Sequence, residues 1–110
     1  MITIMFRMVS FSGREEEAVR VCKEIMASSR VEDDGCITYT MCQRTDNSRE
    51  LLLFEEWRDQ EALNTHLARL HLRVYGPPDE QAAQPPRRRI PKALLAPFEH
   101  VEAIRYNALA

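Results

Sequence analysis

Two histidines five residues apart, His66 and His71, are the side chains of this sequence best suited to proton transfer. Imidazole has a reference pKa of about 6.5, so a histidine exchanges protons near neutral pH. On a helical projection, His66 lies at the edge of an apolar arc that includes Leu63, Leu67 and Leu70, where a ring nitrogen can reach a pocket. His66 is therefore our candidate catalytic residue. The alternative is a histidine that packs in the core and hydrogen-bonds a backbone carbonyl.

His71 is a second candidate for the same pocket, but it lies just beyond the other edge of the arc. Its alternative interpretation is a residue near the helix end that interacts favourably with the helix dipole. Side chains five residues apart on a helix point about 140° apart, which is poor geometry for sharing a metal ion. No other group of His, Cys and acidic residues has the spacing of metal ligands, so we expect no metal site.

Three more side chains, Glu55, Trp57 and Tyr39, are candidates for substrate binding. Trp57 offers a flat apolar wall and an N–H donor, or it is a core residue that anchors strand to helix. Glu55 lies on the same strand face, either as a pocket acid with a raised pKa or as the partner of an arginine across a subunit interface. Tyr39 has a hydroxyl that could bond a ligand oxygen, although tyrosines on sheets are more often structural.

The hydrophobic pattern predicts the elements that carry these side chains. Period-two and continuous apolar runs indicate four strands, and helical periodicity indicates two helices, with bounds at about 2–11, 36–43, 50–57 and 98–107 for the strands and 14–30 and 60–73 for the helices. Ser12 and Glu15 have the spacing of a capping box, and Asp59 is the predicted N-cap of the second helix. The Pro-rich segment 76–91 predicts a long loop, with room for one short helical turn before residue 97.

The element order, β-α-β-β-α-β, is that of the ferredoxin-like fold. Right-handed crossovers place both helices on one face of an antiparallel sheet, which makes the predicted class α+β. Met5, Val9 and Phe11 then lie on the opposite face, and a bare apolar face is covered when two subunits pack their sheets together. We therefore predict one domain over residues 1–110, an extended 76–97 segment within it, and a homodimer.

Composition excludes several other classes of protein. The chain has 110 residues, 45% hydrophobic and 29% charged, which is typical of one globular domain. Its net charge of −2, with scattered Lys and Arg, argues against a nucleic-acid partner. No apolar run approaches the roughly 20 residues of a membrane span, and residues 1–11 lack a signal-peptide pattern. We expect a cytoplasmic protein whose three cysteines are reduced thiols.

Motifs between residues 33 and 75 point to a known family. In order they are Asp34-Gly35-Cys36-Ile37-x-Tyr39, then Leu53-Phe54-Glu55-Glu56-Trp57-Arg58-Asp59, then Glu61-Ala62-Leu63-x-x-His66, and finally His71. Their order and spacing resemble the antibiotic biosynthesis monooxygenase family of dimeric α/β barrels. The resemblance implies the same fold and a dimeric barrel.

The resemblance also implies an activity: oxidation of an electron-rich phenol or hydroquinone to a quinone by O2, without metal or flavin and with His66 assisting deprotonation. Some family members degrade haem, but here the first strand has no Asn and His66 stands where that branch has Trp, so we exclude haem. Two alternatives remain open. One is an isomerase or tautomerase of a small carbonyl compound that uses the same histidine. The other is a non-catalytic dimeric binding or stress-response module.

Overall fold

The computed structural model describes residues 1–75, 90–107 and 109, and only the backbone of residues 30–32. The strands are β1 (Ile2–Ser10), β2 (Cys36–Gln43), β3 (Glu50–Trp57) and β4 (Phe98–Tyr106), and the helices are α1 (Glu15–Glu32) and α2 (Gln60–Tyr75). A short 3₁₀ helix, Lys92–Leu95, precedes β4, where the sequence predicted a helical turn. Most of the predicted 76–91 loop lies outside the described residues. Within those residues, no helix is both long and apolar enough to cross a lipid bilayer.

The four strands form one antiparallel sheet in the order β2-β3-β1-β4. The first and third strands in sequence therefore lie side by side in the centre, and the two halves of the chain interleave. This confirms the predicted α+β class and the ferredoxin-like order. Because β3 is central, its side chains are flanked by neighbours on both sides.

Strict alternation on β3 determines which side chains face the helices. Leu51, Leu53, Glu55 and Trp57 are buried, while the residues between them are only partly buried. Leu51, Leu53 and Trp57 join a core to which β1, β2 and both helices contribute. Burial of an aliphatic side chain stabilises a fold by about 1.5–3 kcal/mol, so the apolar members of this row hold β3 in register. Glu55 lies in the same row and is carried into the core with them.

Helix α1 begins differently from the prediction, which placed Ser12 and Glu15 in a capping box. Arg14 is the N-cap residue and makes no side-chain capping bond. The cause is a turn in which Arg14 N–H bonds Phe11 O and Gly13 takes a φ of +86°, so that Ser12 lies within the turn. Arg14 instead forms a two-pronged ion pair with Glu17, at 2.8 Å for each bond.

Helix α2 begins as predicted, and a tight turn packs against it. The Asp59 carboxylate accepts a 2.8 Å hydrogen bond from Ala62 N–H, as an N-cap residue does. Gly35, at the start of β2, has a φ of +83°, and a Cβ built there would lie only 2.6 Å from Ala62 Cβ. Glycine at residue 35 thus lets the turn before β2 approach α2 closely. Both helices end two residues later than predicted, at Glu32 and Tyr75.

The sheet face away from the helices carries an apolar row. Met5 pairs with Phe54 of β3 on one side and with Ile104 of β4 on the other. Ile104 is 37% exposed, and Met5 and Phe54 are partly buried. We call these three residues the open-face row. It corresponds to the second apolar face that the sequence predicted for the first strand.

Candidate active site

A buried acid and a buried indole form one wall of the candidate site. Glu55 is 3% exposed and Trp57 is fully buried. Trp57 Nε1–H donates a 3.0 Å hydrogen bond to Glu55 Oε1. In the sheet, Glu55 pairs with Ile4 of β1 and Tyr39 of β2. A carboxyl group is therefore held in a largely apolar environment and receives one strong donor.

Helix α2 supplies the histidine that faces this wall. Its buried residues recur at helical spacing and comprise Ala62, Leu63, His66, Leu67 and Leu70. His66 is 2% exposed, so the edge position predicted on the helical projection becomes a core position in the fold. Its ring centroid lies 4.5 Å from the Trp57 ring and 5.5 Å from the Tyr39 ring. Three of the five predicted site residues thus contact one another through their rings.

The partner of the His66 ring is Asp33, which the sequence did not identify as a site residue. His66 Nδ1 lies 2.6 Å from Asp33 Oδ2, and the two side chains are 2% and 3% exposed. The other carboxylate oxygen, Oδ1, lies 3.3 Å from Arg69 Nε, an ion pair whose geometry falls short of a hydrogen bond. Asp33 is the C-cap residue of α1. The carboxylate therefore joins the end of α1 to the middle of α2.

A small cavity of about 30 Å³ lies beside these groups. Its polar lining comes from Tyr39, Glu55 and His66, and the rest is apolar or thiol. Ile90 and Leu94, at the 3₁₀ helix, line it as well. A volume of about 30 Å³ corresponds to one water molecule, whereas pockets for drug-sized ligands measure about 300–1,000 Å³. In this conformation the side chains nearly fill the space between helices and sheet.

Burial changes the acidity of three groups that line the cavity. Desolvation raises the pKa of Glu55, while the hydrogen bond from Trp57 and the positive charge that His66 carries when protonated act in the opposite direction. Desolvation also raises the pKa of Tyr39, and the nearby carboxylate of Glu55 adds to this effect. The Cys22 thiol has its pKa raised to about 11 by burial. All three groups are thereby biased toward their neutral, protonated forms.

The structure brings four of the five sequence-predicted site residues together: His66, Glu55 and Tyr39 line the cavity, and Trp57 contacts His66 and Tyr39 without lining it. The fifth, His71, lies outside the cavity lining, partly buried, with its ring 5.7 Å from that of Tyr75. The angular separation of five helical residues accounts for this difference. No group of three or more His, Cys, Asp or Glu side chains suited to a metal ion occurs among the described residues.

Residues 1–76 match the family model described as antibiotic biosynthesis monooxygenase. The chain belongs to this family. The matched region contains Asp33, Tyr39, Glu55, Trp57 and His66, and therefore every polar group of the candidate site named above. No curated protein matches the chain by sequence.

Solved structures agree with the family fold. The chain aligns over 99% of its length with 94% of PA3566 from Pseudomonas aeruginosa, with a TM-score of 0.74 and 23% identity. It aligns over 98% with 92% of a putative antibiotic biosynthesis monooxygenase from Deinococcus radiodurans, with a TM-score of 0.70 and 18% identity. A putative antibiotic biosynthesis monooxygenase from Nitrosomonas europaea aligns over the full length of both chains, with a TM-score of 0.74 and 12% identity. At these identities the likeness concerns the fold alone.

Proposed function

We propose that this protein is a cofactor-independent monooxygenase that oxidises an electron-rich phenol or hydroquinone to a quinone, with His66 as the base. One observation carries the proposal: the buried His66 ring lines the cavity while its Nδ1 is engaged by Asp33. Membership of a monooxygenase family supports the same class of reaction. A histidine whose ring is fixed in this way is suited to remove a proton from a bound ligand.

The chemistry begins with deprotonation. Taking a proton from a phenol of pKa about 10 at pH 7 costs about 3 pKa units, or roughly 4 kcal/mol, which a base and hydrogen bonds to the phenolate can supply. The phenolate passes one electron to O2, and the phenoxyl radical and superoxide combine to form a C–O bond. Loss of water then leaves a carbonyl. One phenol and one O2 thus give one quinone and one water.

The surroundings of the His66 ring suit this sequence of steps. Trp57 and Tyr39 give the histidine aromatic neighbours, and the protonated form of Glu55, which burial favours, is a hydrogen-bond donor to a peroxide or phenolate oxygen. An apolar surround excludes bulk water from the radical pair. A phenol exceeds about 30 Å³, so substrate binding requires displacement of the wall that includes Ile90 and Leu94.

The small volume of the cavity favours a second candidate, a non-catalytic dimeric module in which His66 and Asp33 are structural. Under that function the side chains fill the interior permanently and no aromatic ligand raises the melting temperature. Under the monooxygenase function, substrates and product quinones bind the folded state and stabilise it by mass action. Thermal denaturation with a panel of phenols and hydroquinones separates the two candidates.

Oxygen consumption tests the reaction itself. The protein is mixed with the same panel, and O2 uptake is measured alongside quinone absorbance. We expect His66→Gln to lower turnover about 10²–10⁴-fold, the usual contribution of a general base. His71→Gln is the matched control, because that histidine lies outside the cavity lining, and its rate should equal that of the wild type. Equal rates for the two variants would remove His66 from the mechanism, and isomerisation without O2 uptake would exclude a monooxygenase.

A homodimer is part of the same proposal, with the open-face row as its centre. Met5, Phe54 and Ile104 form an apolar strip across three adjacent strands, on the face away from the helices. A second copy of the chain, packed sheet to sheet, removes that strip from water and gains about 25 cal/mol for each Å² of apolar surface buried. The two sheets, packed face to face, would then form the dimeric barrel, with the helices of each copy on the outside.

A further inference from the structure

We propose that Asp33 is a positioning residue that keeps the proton of neutral His66 on Nδ1, so that Nε2 carries the lone pair available to a ligand. The inference deepens the proposed function and rests on it for its catalytic meaning, because it names the nitrogen that would act as the base. The tautomer itself is a property of the resting protein and exists with or without turnover.

The Asp33–His66 contact has the features that determine a tautomer. Nδ1 and Oδ2 are 2.6 Å apart, and each side chain is at most 3% exposed, so water does not compete for the bond. An ionised carboxylate has acceptor sites only, so the hydrogen between the two atoms belongs to Nδ1. In the opposite tautomer, a nitrogen lone pair would face a carboxylate lone pair in a dry environment.

Arg69 strengthens this assignment from the solvent side. Its Nε lies 3.3 Å from Asp33 Oδ1, and its side chain is 40% exposed. A guanidinium is always a donor and always positively charged, so it can face this oxygen only as a cation. One oxygen of Asp33 therefore faces a permanent cation and the other faces the imidazole.

The location of the cavity indicates which ring nitrogen of His66 a bound molecule can reach. His66 is part of the cavity lining, and Asp33 is not. Since Nδ1 is occupied by the carboxylate, Nε2 is the ring nitrogen left for a molecule in that space. A histidine whose other nitrogen is bonded to a carboxylate is held in one tautomer and one orientation.

A purely structural role is the competing explanation, because Asp33 also ends α1 and contacts α2. The substitution Asp33→Asn distinguishes the two through Arg69. The cationic Arg69 favours the amide oxygen of Asn on its own side, which turns the NH₂ group toward Nδ1 and the imidazole proton onto Nε2. A structural anchor predicts lower stability but no such exchange of tautomers.

Nitrogen-15 NMR of the imidazole reads the tautomer directly. The protein has three histidines, so a background with His71→Gln and His100→Gln leaves the signals of His66 alone. At a pH where the ring is neutral, we expect His66 of this background protein to be in the Nδ1–H form. When Asp33→Asn is added, we expect the Nε2–H form to replace it. Adding Arg69→Met to Asp33→Asn frees the amide to turn and should restore part of the Nδ1–H signal.

Asp34→Asn is the matched control, since the neighbouring Asp34 side chain is 94% exposed and should leave the tautomer unchanged. An Nε2–H form in the parent background, an imidazolium that persists at pH 8, or an unchanged tautomer in Asp33→Asn would each overturn the inference. If Asp33→Asn does not fold, the parent spectrum still decides between Nδ1–H and Nε2–H.

Turnover gives an independent reading. Asp33→Asn should lower kcat about 10²–10⁴-fold with little change in KM, because the base is lost and binding is not. A tautomer exchange in a protein that oxidises no phenol would support the positioning role and refute the proposed function. An active protein with His66 in the Nε2–H form would support the proposed function and refute the positioning role.

Discussion

Gly13 and Gly35, which both have a positive φ, offer a matched test of how closely the turn before β2 approaches α2. Gly13 has a φ of +86° and a Cβ there would meet nothing within 4 Å, whereas Gly35 has a φ of +83° and its Cβ would lie 2.6 Å from Ala62 Cβ. Substitution by alanine imposes the same backbone strain at both positions. Only Gly35→Ala adds an overlap, so the difference between the two variants measures the packing.

The expected magnitudes follow from these two geometries. A residue with a Cβ destabilises the folded state by about 1–2 kcal/mol in the left-handed region. The reduced freedom of the unfolded chain offsets about 0.4–1 kcal/mol of this loss. Gly13→Ala should therefore cost about 1 kcal/mol. Gly35→Ala adds an overpacking cost of about 1–3 kcal/mol, because Ala62 is buried on a packed helix and its Cβ has no flexible atoms beyond it. We expect a total of about 2–4 kcal/mol.

Urea denaturation at 25 °C, followed by circular dichroism, measures both free energies of unfolding. The double variant Gly35→Ala with Ala62→Gly removes the overlap and should recover part of the loss, less the roughly 1 kcal/mol that glycine costs inside a helix. Equal destabilisation by Gly13→Ala and Gly35→Ala would refute the close approach. It would also argue against the position of Asp33, two residues before Gly35, beside His66.

Three further predictions concern the core acid, its donor and the open face. Burial raises the pKa of folded Glu55 above its ordinary 4.5, so the folded state binds the proton more tightly than the unfolded state does. The contribution of Glu55 to stability is therefore lost as pH rises from about 4.5 through the raised value. Urea denaturation at pH 5 and pH 8 should therefore show Glu55→Gln gaining stability relative to wild type at the higher pH, and a constant difference would contradict the shift. Trp57→Phe removes the indole donor, so carbon-13 titration should find the Glu55 pKa raised further, with a loss of about 1–3 kcal/mol in stability; an unchanged pKa would rule out the hydrogen bond. Phe54→Lys should convert a dimer to monomer in sedimentation velocity while Lys23→Glu, on exposed α1 surface, does not; a wild-type monomer at micromolar concentration would refute the dimer.

Local patterns predicted most of the fold. The strands over residues 36–43 and 50–57 were predicted with their observed bounds, because apolar runs and the turn residues between them lie close together in sequence. The start of α2 was also predicted, since Asp59 caps the residues that directly follow it. The start of α1 was predicted to within one residue, but its capping box was wrong because two local signals competed there. A turn at Gly13 and a capping box at Ser12 use the same residues, and the turn prevailed.

The candidate site was less accessible from sequence. Asp33 and His66 are 33 positions apart and meet only because α1 and α2 pack on the same face of the sheet. In the sequence, Asp33 and Asp34 are adjacent acids, and no local pattern distinguishes one from the other. The volume beside His66 was equally hidden, since it depends on how Ile90 and Leu94 pack after the chain has folded. Periodicity predicts which residues face inward, but not how much space remains between them.

The burial of Cys22 affects how readily its thiol would be oxidised during the proposed reaction. With a pKa of about 11, only about one Cys22 side chain in 10⁴ is a thiolate at pH 7. Peroxides attack the thiolate form, and the first product, a sulfenic acid, leads on to irreversible oxidation. If the proposed oxidation takes place in this cavity, Cys22 is protected by its surroundings, and the interior of the protein resists damage from the species that the reaction would release.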